Sequence, residues 1–255
     1  MSLAEYTESE FREKQSRLVK SLVLQGSACP SEKPIAFLLG GQSGAGKTTL
    51  HEILLSEMED DAIVINGDEY RSYHPRYRQL DAKYGRDAVI HTATWAGTMV
   101  ESLIDAFSRV GYNLVVEGTL RTSQAPLKSA ALLRSRGYGV SLALMAVKPE
   151  ISLVSCQIRY ELMRQAGTVP RAVDPVFHSK IVQDIVGNLE VLEESGQFDE
   201  IRLYTRSREM LFPQEDARVR ASGVLRDVLF GKWTEQELRH YAQLKAKLEQ
   251  LKAAS

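Results

Sequence analysis

Cysteine is nearly absent from this 255-residue chain: Cys29 and Cys156 are the only two. Two thiols far apart in sequence exclude a disulfide framework and a four-thiolate zinc site, and they suit a reducing compartment. Long apolar runs are missing as well. The longest, VSLALMAV at 140–147, already contains a serine and falls far short of a membrane span of about 20 residues. The opening MSLAEYTESEFREK is acidic and polar and lacks the apolar core of a secretion signal. A cytoplasmic protein with no membrane partner is therefore expected. Charge of one sign is absent too: 32 basic and 33 acidic side chains give a formal net charge of −1, and no basic run stands out. Nucleic acid is not an expected partner, and any anion site must be local. The chain also lacks internal repeats and low-complexity segments.

What is present is an ordinary globular composition, 44% hydrophobic and 25% charged. The length allows one large α/β domain or two small ones, and a single domain over 1–255 is expected. Short apolar runs at 35–39, 62–65, 113–118, 140–147 and 201–206 predict five strands. Helical patterns alternate with them: 3–25, with Phe11, Leu18, Leu22 and Val23 on one face, then 47–58, 87–110 ending at Gly111, 126–136 ending at Gly137, and one opened by Pro149. Two more helices are expected near 216–229 and 234–252. Strands alternating with helices predict an α/β fold with a mostly parallel sheet of about five strands flanked by helices. In such sheets ligands gather beyond the carboxyl ends of the strands, which singles out residues 40–48, 66–71, 117–121 and Lys148.

The first of these segments reads LLGGQSGAGKTTLHE at 38–52. Gly41, Gln42, Ser43, Gly44, Ala45, Gly46, Lys47 and Thr48 match the G-x-x-x-x-G-K-[ST] phosphate loop completely, with Thr49 following, between a predicted strand and a predicted helix. Backbone N–H groups at a helix N-terminus point at an anion and the helix dipole adds attraction. Lys47 would reach the β- and γ-phosphates of ATP (or GTP), and the Thr48 hydroxyl would be a Mg²⁺ ligand. GTPases and motor ATPases share this loop. The N-K-x-D motif that reads guanine is missing, and in AIVINGDEY two residues separate the apolar run from Asp68-Glu69. That spacing places the acid in a loop beyond the strand rather than beside the magnesium.

A kinase needs a carboxylate to take the proton of the acceptor hydroxyl. Asp68, 21 residues after Lys47, is the candidate, although aspartates also cap turns. Glu117 ends the third strand and could orient magnesium-bound water; a structural salt bridge fits it equally well. Thr119 and Arg121 follow on the same rim. Arg159 and Arg171 flank a loop containing Gly167 and Pro170, which suggests a helical lid whose arginine forks stabilise the charge of a moving phosphoryl group. Glu101 lies inside a predicted helix, where spacing alone reads as solvated surface.

Taken in order, FLLGGQSGAGKTT, INGDEYRSYHPRY, MVESL, GYNLVVEGTLRT, LALMAVKPE, IRYE and LFGKW resemble the zeta toxins, the kinase halves of bacterial epsilon/zeta toxin–antitoxin systems. The resemblance runs from about 33 to 233. It implies a P-loop kinase fold that uses a nucleoside triphosphate and Mg²⁺ to phosphorylate the 3′-hydroxyl of UDP-N-acetylglucosamine, with a product that blocks cell-wall synthesis. It implies Lys47 and Thr48 on the phosphates and magnesium, and Asp68 as base. Glu101, Thr119, Arg121 and, in place of a family threonine, Ser129 would hold the sugar nucleotide. Arg159 and Arg171 would clamp the transferring phosphate. A small helical antitoxin of the epsilon type is the implied partner. Asn66 departs from the family's frequent aspartate, and the spacing from Arg159 to Arg171 is one residue short. Two other readings stay open: a kinase for another small hydroxyl compound, and an ATPase switch without a small-molecule acceptor.

Overall fold

Apolar runs too short for helices become strands, and those buried over most of their length, at 35–40, 114–117 and 139–145, have no solvent face to demand polar alternation. The computed structural model describes residues 2–168, 173–216 and 218–253. Among them the strands are β1 (Ile35–Gly40), β2 (Ile63–Asn66), β3 (Leu114–Glu117), β4 (Gly139–Met145), β5 (Glu200–Tyr204) and β6 (Met210–Phe212). They form one sheet in the order β2-β3-β1-β4-β5-β6. The pairs β2–β3 and β4–β5 are parallel, and β6 joins β5 antiparallel. The sheet is thus mostly parallel, as expected, but has six strands rather than about five. The extra strand, only three residues long, carries no periodic signal.

The helices are α1 (Glu8–Gln25), α2 (Lys47–Glu57), α3 (Gly67–Tyr70), α4 (Tyr77–Tyr84), α5 (Ala88–His91), α6 (Ala93–Val110), α7 (Gln124–Arg134), α8 (Pro149–Gln165), α9 (Pro175–Glu194), α10 (Ala221–Phe230) and α11 (Glu235–Ala253). Two expectations need correction. The helix predicted over 87–110 is broken at Thr92, whose hydroxyl donates back to the Ala88 carbonyl at 2.9 Å and whose backbone leaves the helical region. The first helix begins at Glu8, not residue 3, because Thr7 caps it: the Thr7 hydroxyl accepts from Glu10 N–H, and the Glu10 carboxylate accepts from Thr7 N–H.

The chain divides into two compact units. One takes residues up to Leu38, Leu54–Gly118 and Lys128–Val140; the other takes Leu39–Ile53, Thr119–Leu127 and Ser141 onward. In the first unit the segment before α1 is stapled to the chain that follows β2. The indole of Trp95, 1% exposed, is met edge-on by Tyr6, Phe11 and His74, with centroids 4.8–5.3 Å apart. Its N–H donates to the Tyr70 carbonyl at 2.9 Å. Arg76 donates to both Glu10 carboxylate oxygens and to the Glu5 carbonyl. Phe11 and Leu18 supply the buried face of α1. In the second unit α11 lies along α8, and Leu248 packs with Val154 and Ile158.

His74 is a buried imidazole in the first unit. Its Nδ1 accepts from the Arg76 N–H at 3.1 Å, which leaves Nε2–H to donate to the Ala4 carbonyl at 3.3 Å. A second proton would set Nδ1–H against that amide. Burial, with help from the Arg76 charge, pushes the imidazole below its ordinary value of 6.5, and the Ala4 carbonyl and the Glu10 carboxylate oppose this only in part. A depressed histidine pKa contributes stability that is complete above 6.5 and is lost as pH falls from there toward the folded value. The urea midpoint is therefore expected to drop between pH 7.5 and about 5.5. In His74→Gln the drop should be smaller; an unchanged pH profile in that variant would show that His74 does not contribute.

Candidate active site

The phosphate loop belongs to the second unit. It leaves β1 at Gly41 and enters α2 at Lys47, with φ of +137°, +76° and +99° at Gly41, Gly44 and Gly46. Gly44 has a second reason to be glycine. A Cβ there would sink into the Ser152 carbonyl oxygen of α8 and lie 2.6 Å from Cys156 Sγ. Gly44→Ala combines this clash with a left-handed backbone, so a loss of about 3 kcal/mol or more is expected in denaturant melts. A variant as stable as the parent would show that α8 does not press on the loop.

Side chains inside this unit hold the loop from beneath. Gln42 is fully buried and donates to the Val147 carbonyl at 2.8 Å and to Ser152 Oγ at 3.2 Å. Ser152 Oγ lies 2.9 Å from His178 Nε2, and the same imidazole hydrogen-bonds to the Ser43 backbone. Burial lowers the His178 pKa, so the neutral ring is the form that fits this chain of contacts. Gln42 can thus offer only its backbone to a phosphate. Lys47 Nζ donates to the Gly41 carbonyl at 3.0 Å, and Thr48 is exposed in the first turn of α2. Burial pushes the Cys156 thiol up, while the charges of Arg159, Lys47 and Arg206 pull it the other way, so all three cations act on one buried sulfur beside the loop. Arg159, on α8, is exposed.

These features fit a triphosphate. A glycine-bearing turn at a helix N-terminus, a lysine held by a loop carbonyl and further cations nearby make an anion cradle. Magnesium that rides on phosphates needs only one or two protein oxygens, and the exposed Thr48 hydroxyl is a suitable one.

Two further expected residues lie in the same unit. Thr119 is half-buried; Arg121 is exposed, with its guanidinium 5.7 Å from the Phe177 ring centre. Their loop is anchored by Asn188, which donates to the Leu120 carbonyl at 3.0 Å. Lys148, singled out by its place after β4, is a buried strut rather than a site residue: its ammonium donates to the carbonyls of Gly231 and Lys232 and lies 5.7 Å from the Trp233 ring centre. Arg171 lies outside the described residues.

In the first unit β2 and β3 run parallel with Asn66 opposite Glu117, so Glu117 and the Asp68 segment leave the sheet side by side. Asn66 caps the short α3: its side-chain oxygen accepts from Asp68 N–H at 3.1 Å, and its amide donates to Glu69 at 3.1 Å. The capping task thus falls to Asn66, and the Asp68 carboxylate points elsewhere. It accepts from Arg71 Nε at 3.0 Å and keeps 60% of its side chain exposed. Arg71 is fixed in turn by the Val89 carbonyl at 2.7 Å and Thr92 Oγ1 at 3.3 Å. Glu101, on α6, is exposed and pairs with Lys128 at 2.8 Å; Ser129 follows that lysine on α7. Arg71 was not legible as a partner of Asp68, although its i,i+3 spacing on a short helix was a usable signal.

The family model described as zeta toxin matches residues 20–217. The chain belongs to the zeta toxin family. It is 43% identical over 242 residues to toxin PezT of Streptococcus pneumoniae serotype 4, covering 93% of each chain. It is 35% identical over 212 residues to toxin zeta of Streptococcus pyogenes, covering 83% of this chain and 73% of that one. Among solved structures, one from the PezAT chromosomal toxin–antitoxin system of Streptococcus pneumoniae superposes with a TM-score of 0.88 at 41% identity, over 98% of this chain and 99% of that one. A chain of the AvrRxo1-ORF1:-ORF2 complex matches with a TM-score of 0.56 at 14% identity, over 98% and 90%, a likeness of fold alone. The zeta toxin fold of this chain is an α/β architecture whose mostly parallel sheet carries a complete phosphate loop.

Proposed function

We propose that this zeta toxin is a Mg²⁺-dependent kinase that transfers the γ-phosphoryl group of ATP to the 3′-hydroxyl of the sugar in UDP-N-acetylglucosamine. The observation that carries the reading is the family membership, together with a complete phosphate loop and a carboxylate, Asp68, fixed by Arg71 rather than spent on capping. The bound nucleotide and its magnesium supply the phosphoryl group and neutralise its charge. Lys47 exchanges the Gly41 carbonyl for phosphate oxygens, and Thr48 holds the metal. Asp68 accepts the proton of the attacking hydroxyl as its oxygen bonds to phosphorus and the bridging oxygen departs with the diphosphate. Arg159 and Arg171 offset the charge on the transferring group. Glu101, Thr119, Arg121 and Ser129 hold the sugar nucleotide, and Glu117 would help to hold magnesium through its hydration shell.

In the cell the phosphorylated product would starve cell-wall synthesis, and a small helical antitoxin would restrain the toxin. Its relatives' toxin–antitoxin context supports that partner. Incubation with ATP, Mg²⁺ and UDP-N-acetylglucosamine, followed by mass spectrometry, should reveal a product heavier by one phosphoryl group. ATP binding without that product would remove this acceptor, and ATP hydrolysis indifferent to added sugar nucleotide would favour a nucleotide switch.

A further inference from the structure

We propose that Arg206, two residues past β5, is the positioning residue of the phosphate loop, a proposal that rests on nucleotide binding there. Its guanidinium is committed on three sides. Nη2 donates to the Gly44 carbonyl, Nε to the Ala45 carbonyl at 3.1 Å and Nη1 to Ser155 Oγ at 2.9 Å. The Ser155 hydroxyl gives its own proton to the Ile151 carbonyl at 2.8 Å, so its oxygen is turned to accept from the arginine. A Cβ on Gly46 would lie 3.5 Å from Arg206 Cγ and Nε, so the side chain lies along the last residues of the loop.

The consequence follows from the planar trans peptide. In each unit the C=O and the next N–H point in opposite directions. Drawing the carbonyls of Gly44 and Ala45 onto one cation turns the N–H groups of Ala45 and Gly46 away from it. The Ala45 N–H closes the turn on the Gln42 carbonyl at 3.1 Å. The Gly46 N–H is left at the N-terminus of α2, where an anion is received. Gly44, at φ +76°, has the backbone freedom for its following peptide to rotate once this restraint is gone. A carbonyl oxygen turned toward a triphosphate repels it. Arg206 therefore acts through the loop backbone, selecting the peptide orientation that accepts phosphate.

The test is calorimetric titration of Mg-ATP into the full chain, with thermal melts of the same samples without nucleotide. Arg206→Ala is expected to weaken ATP binding by about 10- to 100-fold, Arg206→Lys by about 3- to 10-fold, and Ser155→Ala by about 2- to 5-fold. The Ser155→Ala/Arg206→Ala double variant should bind no more weakly than Arg206→Ala, because the serine works through the arginine. A lower melting temperature in Arg206→Ala with an unchanged affinity, measured well below the melt, would mark a merely structural residue and overturn the proposal. If Arg206→Ala does not fold, the lysine and serine variants decide: parental affinity in both overturns the clamp. A parental protein that does not bind ATP would instead sink the nucleotide reading itself.

Discussion

Asp68→Asn is expected to bind Mg-ATP within about twofold of the parent while transfer to the sugar nucleotide falls by about 10²- to 10⁴-fold, the usual contribution of a positioned base. The substitution is close to isosteric. Asn66 still caps α3 through the residue-68 amide, which the substitution leaves in place. The amide oxygen can still accept from Arg71, so the loop should persist. What is lost is the capacity to take a proton. Single-turnover product formation, read beside nucleotide affinity, separates these effects. A variant that kept full transfer would relieve Asp68 of the role. Glu69 would be the next candidate, although its carboxylate already accepts from the Asn66 amide.

Lys47→Ala should produce the opposite pattern. Removing the ammonium deletes charge-assisted bonds to the phosphates, so ATP affinity is expected to fall about 10- to 100-fold and transfer by about 10³-fold or more. The fold should tolerate the change, because the loop keeps its anchors through Gln42 and Arg206. Titration calorimetry and the mass-spectrometric assay check both halves. Parental affinity in Lys47→Ala would show that the triphosphate is held elsewhere.

The phosphate loop was legible in the sequence because its demands are local: glycines where φ is positive, a lysine and threonine opening a helix, and a buried strand before it. The five longer strands were legible as short, mainly apolar segments between helical patterns, although Ser141 and Arg202 interrupt two of them. β6 was not, since a three-residue edge strand is defined by its neighbour Leu203–Tyr204 and not by its own pattern. Thr92 broke a helix through a side-chain bond that periodicity does not register. Asp68 and Glu117 were singled out as candidates by one rule, that ligands gather beyond strand ends. The same rule would have reached Arg206 had β5 been ended at Tyr204 instead of at residue 206. Its bonds to Gly44 and Ala45 span more than 160 residues of chain, a distance at which no spacing argument operates. Glu101 and Ser129 entered through resemblance alone.

The aromatic box around Trp95 has an optical consequence. The chain has two tryptophans, one in each compact unit. Trp95 is sealed from water and bonded to the carbonyl two residues beyond Asp68, whereas Trp233 lies beside a buried ammonium. Replacing Trp233 with phenylalanine leaves a single blue-shifted emitter wired to the Asp68 segment, so steady-state fluorescence can follow that unit without any added dye.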